Sequence, residues 1–234
     1  MCTLSYFLTE DGYELFFNRD EQKTRTKALP PKKHNGNVIY PTDPQGGGTW
    51  LGVSSFGQTL ALLNDYQSVF DIDAVKYSRG ALIPLLLNNN VSVLQQLQNL
   101  DLSGYAPFKL CIFPAKLSLN NNDVTFIRWD AKQLTQCEIE PIVTSSGVEL
   151  EVVTKKRLQQ FKKMIDLRHP VSEQFLAFHY SKDKQGQYGV NMHRDDAMTV
   201  SISHIQVSNT ISFDYLDKQS QRISSVNCLK SATS

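Results

Sequence analysis

Two apolar runs joined by a short reversal open the chain and leave little choice about how it begins. Leu4, Tyr6 and Leu8 alternate with polar or mixed positions, Asp11-Gly12 supplies the turn, and Tyr13 to Phe17 returns. A period of two cannot wrap a helix around an apolar face, so the start is expected to be an antiparallel hairpin with one side buried. The signal recurs along the chain. Residues 49–53 and 59–63 flank Ser55-Phe56-Gly57. Residues 108–113 and 124–129 flank Asn120-Asn121-Asn122-Asp123, and residues 199–206 and 210–216 flank Ser208-Asn209. Helical spacing covers 81–87, 92–100 and 149–166, with a shorter helix starting near Ser172. Strand pairs, then helices, then strand pairs predict an α+β protein with antiparallel sheets.

Composition narrows the function classes. A chain of 234 residues suits one domain, taken as 1–234, and a net charge of +1 gives no bulk attraction to nucleic acid. No apolar run is long enough for an integral membrane segment, and Glu10, Asp11 and Glu14 interrupt any leader-like start, so a cytoplasmic protein is expected. Cys2, Cys111, Cys137 and Cys228 show no paired spacing, which predicts free thiols and no metal site, with Cys111 in the core. Residues 23–48, with Pro30, Pro31, Pro41 and Pro44, read as a surface excursion carrying a short strand at 38–40.

Residue two carries the chemistry of greatest interest. Once the initiator Met is trimmed, Cys2 holds a thiol nucleophile and a free α-amine that can act as its base. If the hairpin turns at Asp11-Gly12, Cys2 pairs with Glu21, Leu4 with Arg19 and Ser5 with Asn18. Cys2, Arg19 and Glu21 then share one face, with Asn18 and Asp20 on the other. A guanidinium beside the thiol is expected to lower its pKa or to grip a substrate carboxylate. Asn64, at the end of a strand, is a candidate oxyanion donor. Against this stands the plainer reading of Asn18-Arg19-Asp20-Glu21 as a solvated turn.

Cys2, the Asn18-Arg19-Asp20-Glu21 motif, Gly47-Gly48-Thr49-Trp50-Leu51-Gly52, Leu62-Leu63-Asn64-Asp65-Tyr66 and Ser78-Arg79-Gly80 together resemble the NRDE family of transport and Golgi organisation protein two homologues. The similarity is sharp over about the first hundred residues. It implies a relationship to N-terminal-nucleophile cysteine hydrolases, and hence a four-layer αββα sandwich of two antiparallel sheets between helices. It also implies catalytic positions at Cys2, Arg19, Asp20, Asn64 and a late arginine, Arg194. Two departures stand out. Arg19 and Asp20 are adjacent where the acylases separate them, and Thr144-Ser145-Ser146-Gly147 stands where a second Asn is expected.

Two functions follow from the resemblance. One is a small-molecule carrier, with haem as cargo rather than as a cofactor required for catalysis. Asn18, Arg19, Glu21, Trp50 and His193 would line the ligand site, Arg19 and Arg194 would hold propionates, and Cys2, His34, Met192 or His193 would meet the iron. The other is amide hydrolysis or acyl transfer on a linear substrate with Cys2 as nucleophile. A purely structural role is third. Gly46-Gly47-Gly48 lacks the Lys-Ser/Thr ending of a phosphate loop and is read as a close backbone approach that lets Trp50 line the cleft.

Overall fold

The computed structural model describes residues 2–34, 37–88, 91–138, 140–184 and 186–232. Among the described residues, thirteen strands form two antiparallel sheets. The first holds β1 (Cys2–Leu8), β2 (Tyr13–Gln22), β10 (Ile142–Ser145), β11 (Ala197–Val207), β12 (Thr210–Asp217) and β13 (Arg222–Leu229), in the order β10-β1-β2-β11-β12-β13. The second runs in sequence order through β3 (Leu29–His34), β4 (Val38–Thr42), β5 (Leu51–Ser54), β6 (Thr59–Asn64), β7 (Phe108–Phe113), β8 (Thr125–Trp129) and β9 (Leu134–Cys137). The helices are α1 (Leu82–Leu87), α2 (Val93–Asn99), α3 (Leu150–Met164) and α4 (Ser172–Tyr180).

Three apolar cores make the layering explicit. Leu4, Leu15, Phe17, Ile205 and Phe213 of the first sheet meet Val53, Leu63, Cys111 and Phe113 of the second. The outer face of the second sheet packs Leu60, Leu110 and Ile112 on Leu82, Ile83, Leu86 and Leu97 of α1 and α2. The outer face of the first packs Phe7 and Phe16 on Phe161, Phe175 and Phe178 of α3 and α4. Alternate residues of each central strand therefore serve different cores, and the result is the expected αββα sandwich.

The opening hairpin differs from its expected register. Cys2 pairs with Arg19, Thr3 with Asn18 and Leu8 with Tyr13, two positions away from the expected partners. The loop is Thr9 to Gly12, closed by the Thr9 N–H donating to Gly12 O at 2.9 Å and the Thr9 hydroxyl donating to Asp11 Oδ1 at 3.2 Å. Because side chains alternate with a period of two, a slip of two preserves every face. Cys2, Arg19 and Glu21 share the inner face as expected, and Asn18 and Asp20 point toward the helices.

Residues 23–48 are not a loose excursion. They contain β3 and β4 and the turn at Asp43 that walls the Cys2 cleft. His34, expected in a loop, ends β3 and stacks on Tyr40 with ring centroids 3.6 Å apart. Among the described residues, no helix is long and apolar enough to cross a membrane.

Candidate active site

Cys2 occupies the first position of β1, between two neighbours in the sheet: Arg19 of β2 on one side and Ser145 of β10 on the other. All three stand at the same end of the sheet. The Arg19 side chain is buried and its orientation is fully determined. Nη2 donates to Glu21 Oε2 at 3.2 Å and to Asp43 Oδ2 at 3.1 Å, and the guanidinium carbon lies 4.2 Å from the centre of the Trp50 ring. Arg25 reaches the same two carboxylates, at 3.4 Å to Glu21 and 2.6 Å to Asp43. Asp43 in turn caps its own turn, with Oδ1 accepting from the Gln45 and Gly46 N–H groups. Burial opposes ionisation of Asp43, but Arg25 and Arg19 outweigh it and hold the carboxyl below its usual range.

The second sheet contributes the opposite wall. Asn64 ends β6, and its Nδ2 donates to the Tyr66 hydroxyl at 2.9 Å. The turn Arg79–Ala81 precedes α1. Cys2, Arg19, Trp50, Asn64 and Arg79 all line one small, predominantly polar cavity of about 180 Å³. Gly48 and Gly80 make the closure tight. A Cβ on Gly48 would sit 2.3 Å from the Gly80 carbonyl carbon, and the Thr49 N–H donates to Gly80 O at 3.0 Å. The glycine run is thus the close approach expected of it, with a turn rather than a strand as its neighbour.

The Cys2 thiol departs from expectation. Burial pushes its pKa up, and the Asp20 charge adds to that, whereas the N-terminal charge, a hydrogen bond from the Asp20 backbone and the Arg19 charge work the other way without reversing it. Of these contributions the Arg19 charge is the smallest.

Several residues expected at the site stand elsewhere. Asn18 is fully buried on the far face. Its Nδ2 donates to His179 O and Val190 O, at 2.8 and 2.9 Å, and its Oδ1 accepts from His179 Nδ1 at 2.7 Å. Asp20 borders the cleft through its backbone, but its carboxylate turns to the helices. There it accepts from Thr199 Oγ1 at 2.6 Å and from Arg157 Nη2 at 3.2 Å. Arg194 is held by Asp196 through two contacts of 3.1 Å, away from the cavity, and His193 beside it is exposed. Met192 is buried. The nominated iron donors, Cys2, His34, His193 and Met192, therefore never converge.

The cavity also falls below the ~300–1,000 Å³ of usual ligand pockets, and its polar lining is wrong for a porphyrin. A larger hollow of about 550 Å³, walled by Cys111, Phe126 and Val143, contains none of the nominated iron donors. The residues at the Cys2 cleft do not fit haem.

Sequence reasoning missed Arg25, Asp43 and Ser145 and left Arg79 without a role. Arg25 and Asp43 lay in a segment dominated by proline and glycine, with no alternation to place them. Ser145 was visible only as the absence of an Asn. Its Oγ is buried with no hydrogen-bond partner among the described residues.

Residues 1–227 match the family model described as Transport and Golgi organisation 2. The chain belongs to that family. The Transport and Golgi organization protein 2 homolog of Homo sapiens is 31% identical over 123 residues, covering 50% of this chain and 44% of that protein. The Mus musculus homolog is 30% identical over 146 residues, covering 60% and 50%. The matched stretch thus spans about half the length of these relatives. Among solved structures, a Caenorhabditis elegans N-acylethanolamine-hydrolyzing acid amidase ortholog superposes with a TM-score of 0.59 at 11% identity, covering 88% of this chain and 92% of its own. The C2A mutant of the conjugated bile acid hydrolase from Clostridium perfringens superposes with a TM-score of 0.54 at 12% identity, covering 97% and 92%. At such identities the likeness establishes the fold, that of the N-terminal-nucleophile hydrolases. The family member described here has that sandwich, with Cys2 at its first strand.

Proposed function

We propose that the chain is a cysteine-centred hydrolase or acyltransferase acting on an amide or related acyl group. The observation that carries this reading is the cross-strand pairing of Cys2 with Arg19 at the mouth of a cavity that Asn64 closes from the other sheet. In the proposed cycle the Cys2 thiol attacks the substrate carbonyl and its proton passes to the Cys2 α-amine. Asn64 Nδ2 and a backbone N–H hold the oxyanion. The α-amine then protonates the leaving amine, the C–N bond breaks, and water hydrolyses the thioester to restore the thiol. The names of the structural neighbours, an amidase and a bile acid hydrolase, support an amide as the bond cut. Haem handling at this cleft draws no support from its size or lining.

The cycle needs Met1 removed, and Met1 lies outside the described residues. Intact mass of natively expressed protein, before and after exposure to p-nitrophenyl acyl esters, tests both requirements. The expected result is loss of the initiator residue and one added acyl group, with no acyl adduct on Cys2→Ala. Retained Met1, or equal labelling of Cys2→Ala, would defeat the proposal.

A further inference from the structure

Three guanidiniums and two carboxylates face the Cys2 cavity. Arg19 and Arg25 share Glu21 and Asp43 between them, and those four charges cancel. Asp20 spends its charge on Arg157, on the far side of the sheet. The remaining cation is Arg79. Its Nη1 donates to Pro107 O at 2.8 Å, and among the described residues no partner meets Nε or Nη2. The side chain is half-buried, and burial, with a smaller push from Arg25, pulls its pKa below the ordinary value although Tyr66, Cys2 and Glu21 oppose the shift. Among the described residues no carboxylate contacts this partly desolvated cation, so the cleft has room for one more anion. Trp50, which walls the same cavity, adds a buried indole N–H that has no acceptor among the described residues. The Gly48–Gly80 contact fixes the Arg79 turn against the cleft, so the guanidinium is positioned before any ligand arrives.

We propose that the Cys2 cleft takes acyl substrates carrying a carboxylate beside the scissile bond, and that Arg79 binds this carboxylate through its Nε/Nη2 edge. The inference rests on the cysteine-centred reading above and narrows its substrate class. A carboxylate matches the two parallel donors of a guanidinium edge. A cavity of about 180 Å³ holds the anionic head and the reacting carbonyl, while the rest of the substrate extends outward.

Two thiol reagents of nearly equal size test the charge preference without any turnover. Iodoacetate and iodoacetamide both alkylate a thiolate, forming an S–C bond and releasing iodide, so the thiolate fraction cancels in the ratio of their rates. Peptide mass mapping would follow Cys2, with half-buried Cys228 as internal reference. The iodoacetate-to-iodoacetamide ratio at Cys2 is expected about ten-fold above that at Cys228, as one charge-assisted contact implies. It should fall to the Cys228 value in Arg79→Gln and be kept only in part in Arg79→Lys, whose ammonium holds the charge but not the paired donors. A wild-type ratio no higher than that of Cys228, or one untouched by Arg79→Gln, overturns the proposal.

If Arg79→Gln does not fold, the wild-type protein decides alone. Acetate at constant ionic strength should slow iodoacetate labelling of Cys2 saturably, and acetamide should not. Equal effects of the two overturn it. Acylation by neutral esters reports separately on Cys2 chemistry, so a charge-blind Cys2 that still forms an acyl adduct would sink the substrate class and leave the nucleophile standing.

Discussion

Asn18, Arg19, Asp20 and Glu21 are consecutive, yet they do two unrelated jobs. Arg19 and Glu21 build the cleft, while Asn18 clamps the end of α4 and Asp20 anchors α3 through Arg157. The alternation of a strand divides the motif between the sheet's faces. In the proposed cycle, Asn64, which lines the cleft, is the side chain that stabilises developing negative charge. Asn64→Ala should lower kcat by about 10²–10³-fold with a much smaller change in KM, since an oxyanion contact strengthens only in the transition state. Steady-state kinetics on an ester that acylates Cys2 would check this, and a loss confined to KM would remove Asn64 from that role.

At the level of elements, the cleft depends on two glycine backbones in contact. Gly48→Ala puts a methyl group 2.3 Å from the Gly80 carbonyl carbon, where no flexible side chain can give way. It should destabilise the fold by roughly 1–3 kcal/mol, as overpacking does. It should also push the Arg79 turn away from Cys2. Urea denaturation reads the first effect, and a variant as stable as the wild type would refute it. The central strands and all four helices were legible in the sequence from their periods. The four strands that were not, β3, β9, β10 and β13, are the four sheet edges. Edge strands face a neighbour on one side only and tolerate residues that spoil alternation, such as Pro30 and Pro31 in β3. In the cleft, Cys2 and Asn64 could be read because one begins and the other ends a strong strand, and Arg19 because it lies inside the strand that pairs with the first. Ser145 sits on an unread edge strand, and Asp43 in a turn, so neither could be placed.

Across the whole molecule, the first sheet is joined to its helical layer by a buried polar network. His179 of α4 donates from Nδ1 to Asn18 Oδ1 at 2.7 Å, and its Nε2 lies 2.8 Å from Ser5 Oγ, where only neutral imidazole can accept. Burial, with Arg157 and His204 nearby, lowers its pKa to about 3. The unfolded chain, with an ordinary histidine value near 6.5, therefore binds the extra proton between those limits. Stability should be complete above pH 6.5 and decline as pH falls toward 3. Between about pH 6.5 and 4.5 exposed carboxylates remain ionised, so the slope there belongs mainly to histidine. Urea midpoints across that range should fall for the wild type and fall less steeply for His179→Gln, which keeps the smaller contribution of His34; equal slopes would contradict the assignment. The division of the four-residue motif also bears on how relatives should be recognised. A lineage that abandoned the reaction would still need Asn18 and Asp20 to keep its helices docked. On the proposed function, those two letters would diagnose ancestry, whereas a cysteine opposite Arg19, together with Asn64 and Arg79, would diagnose a working enzyme.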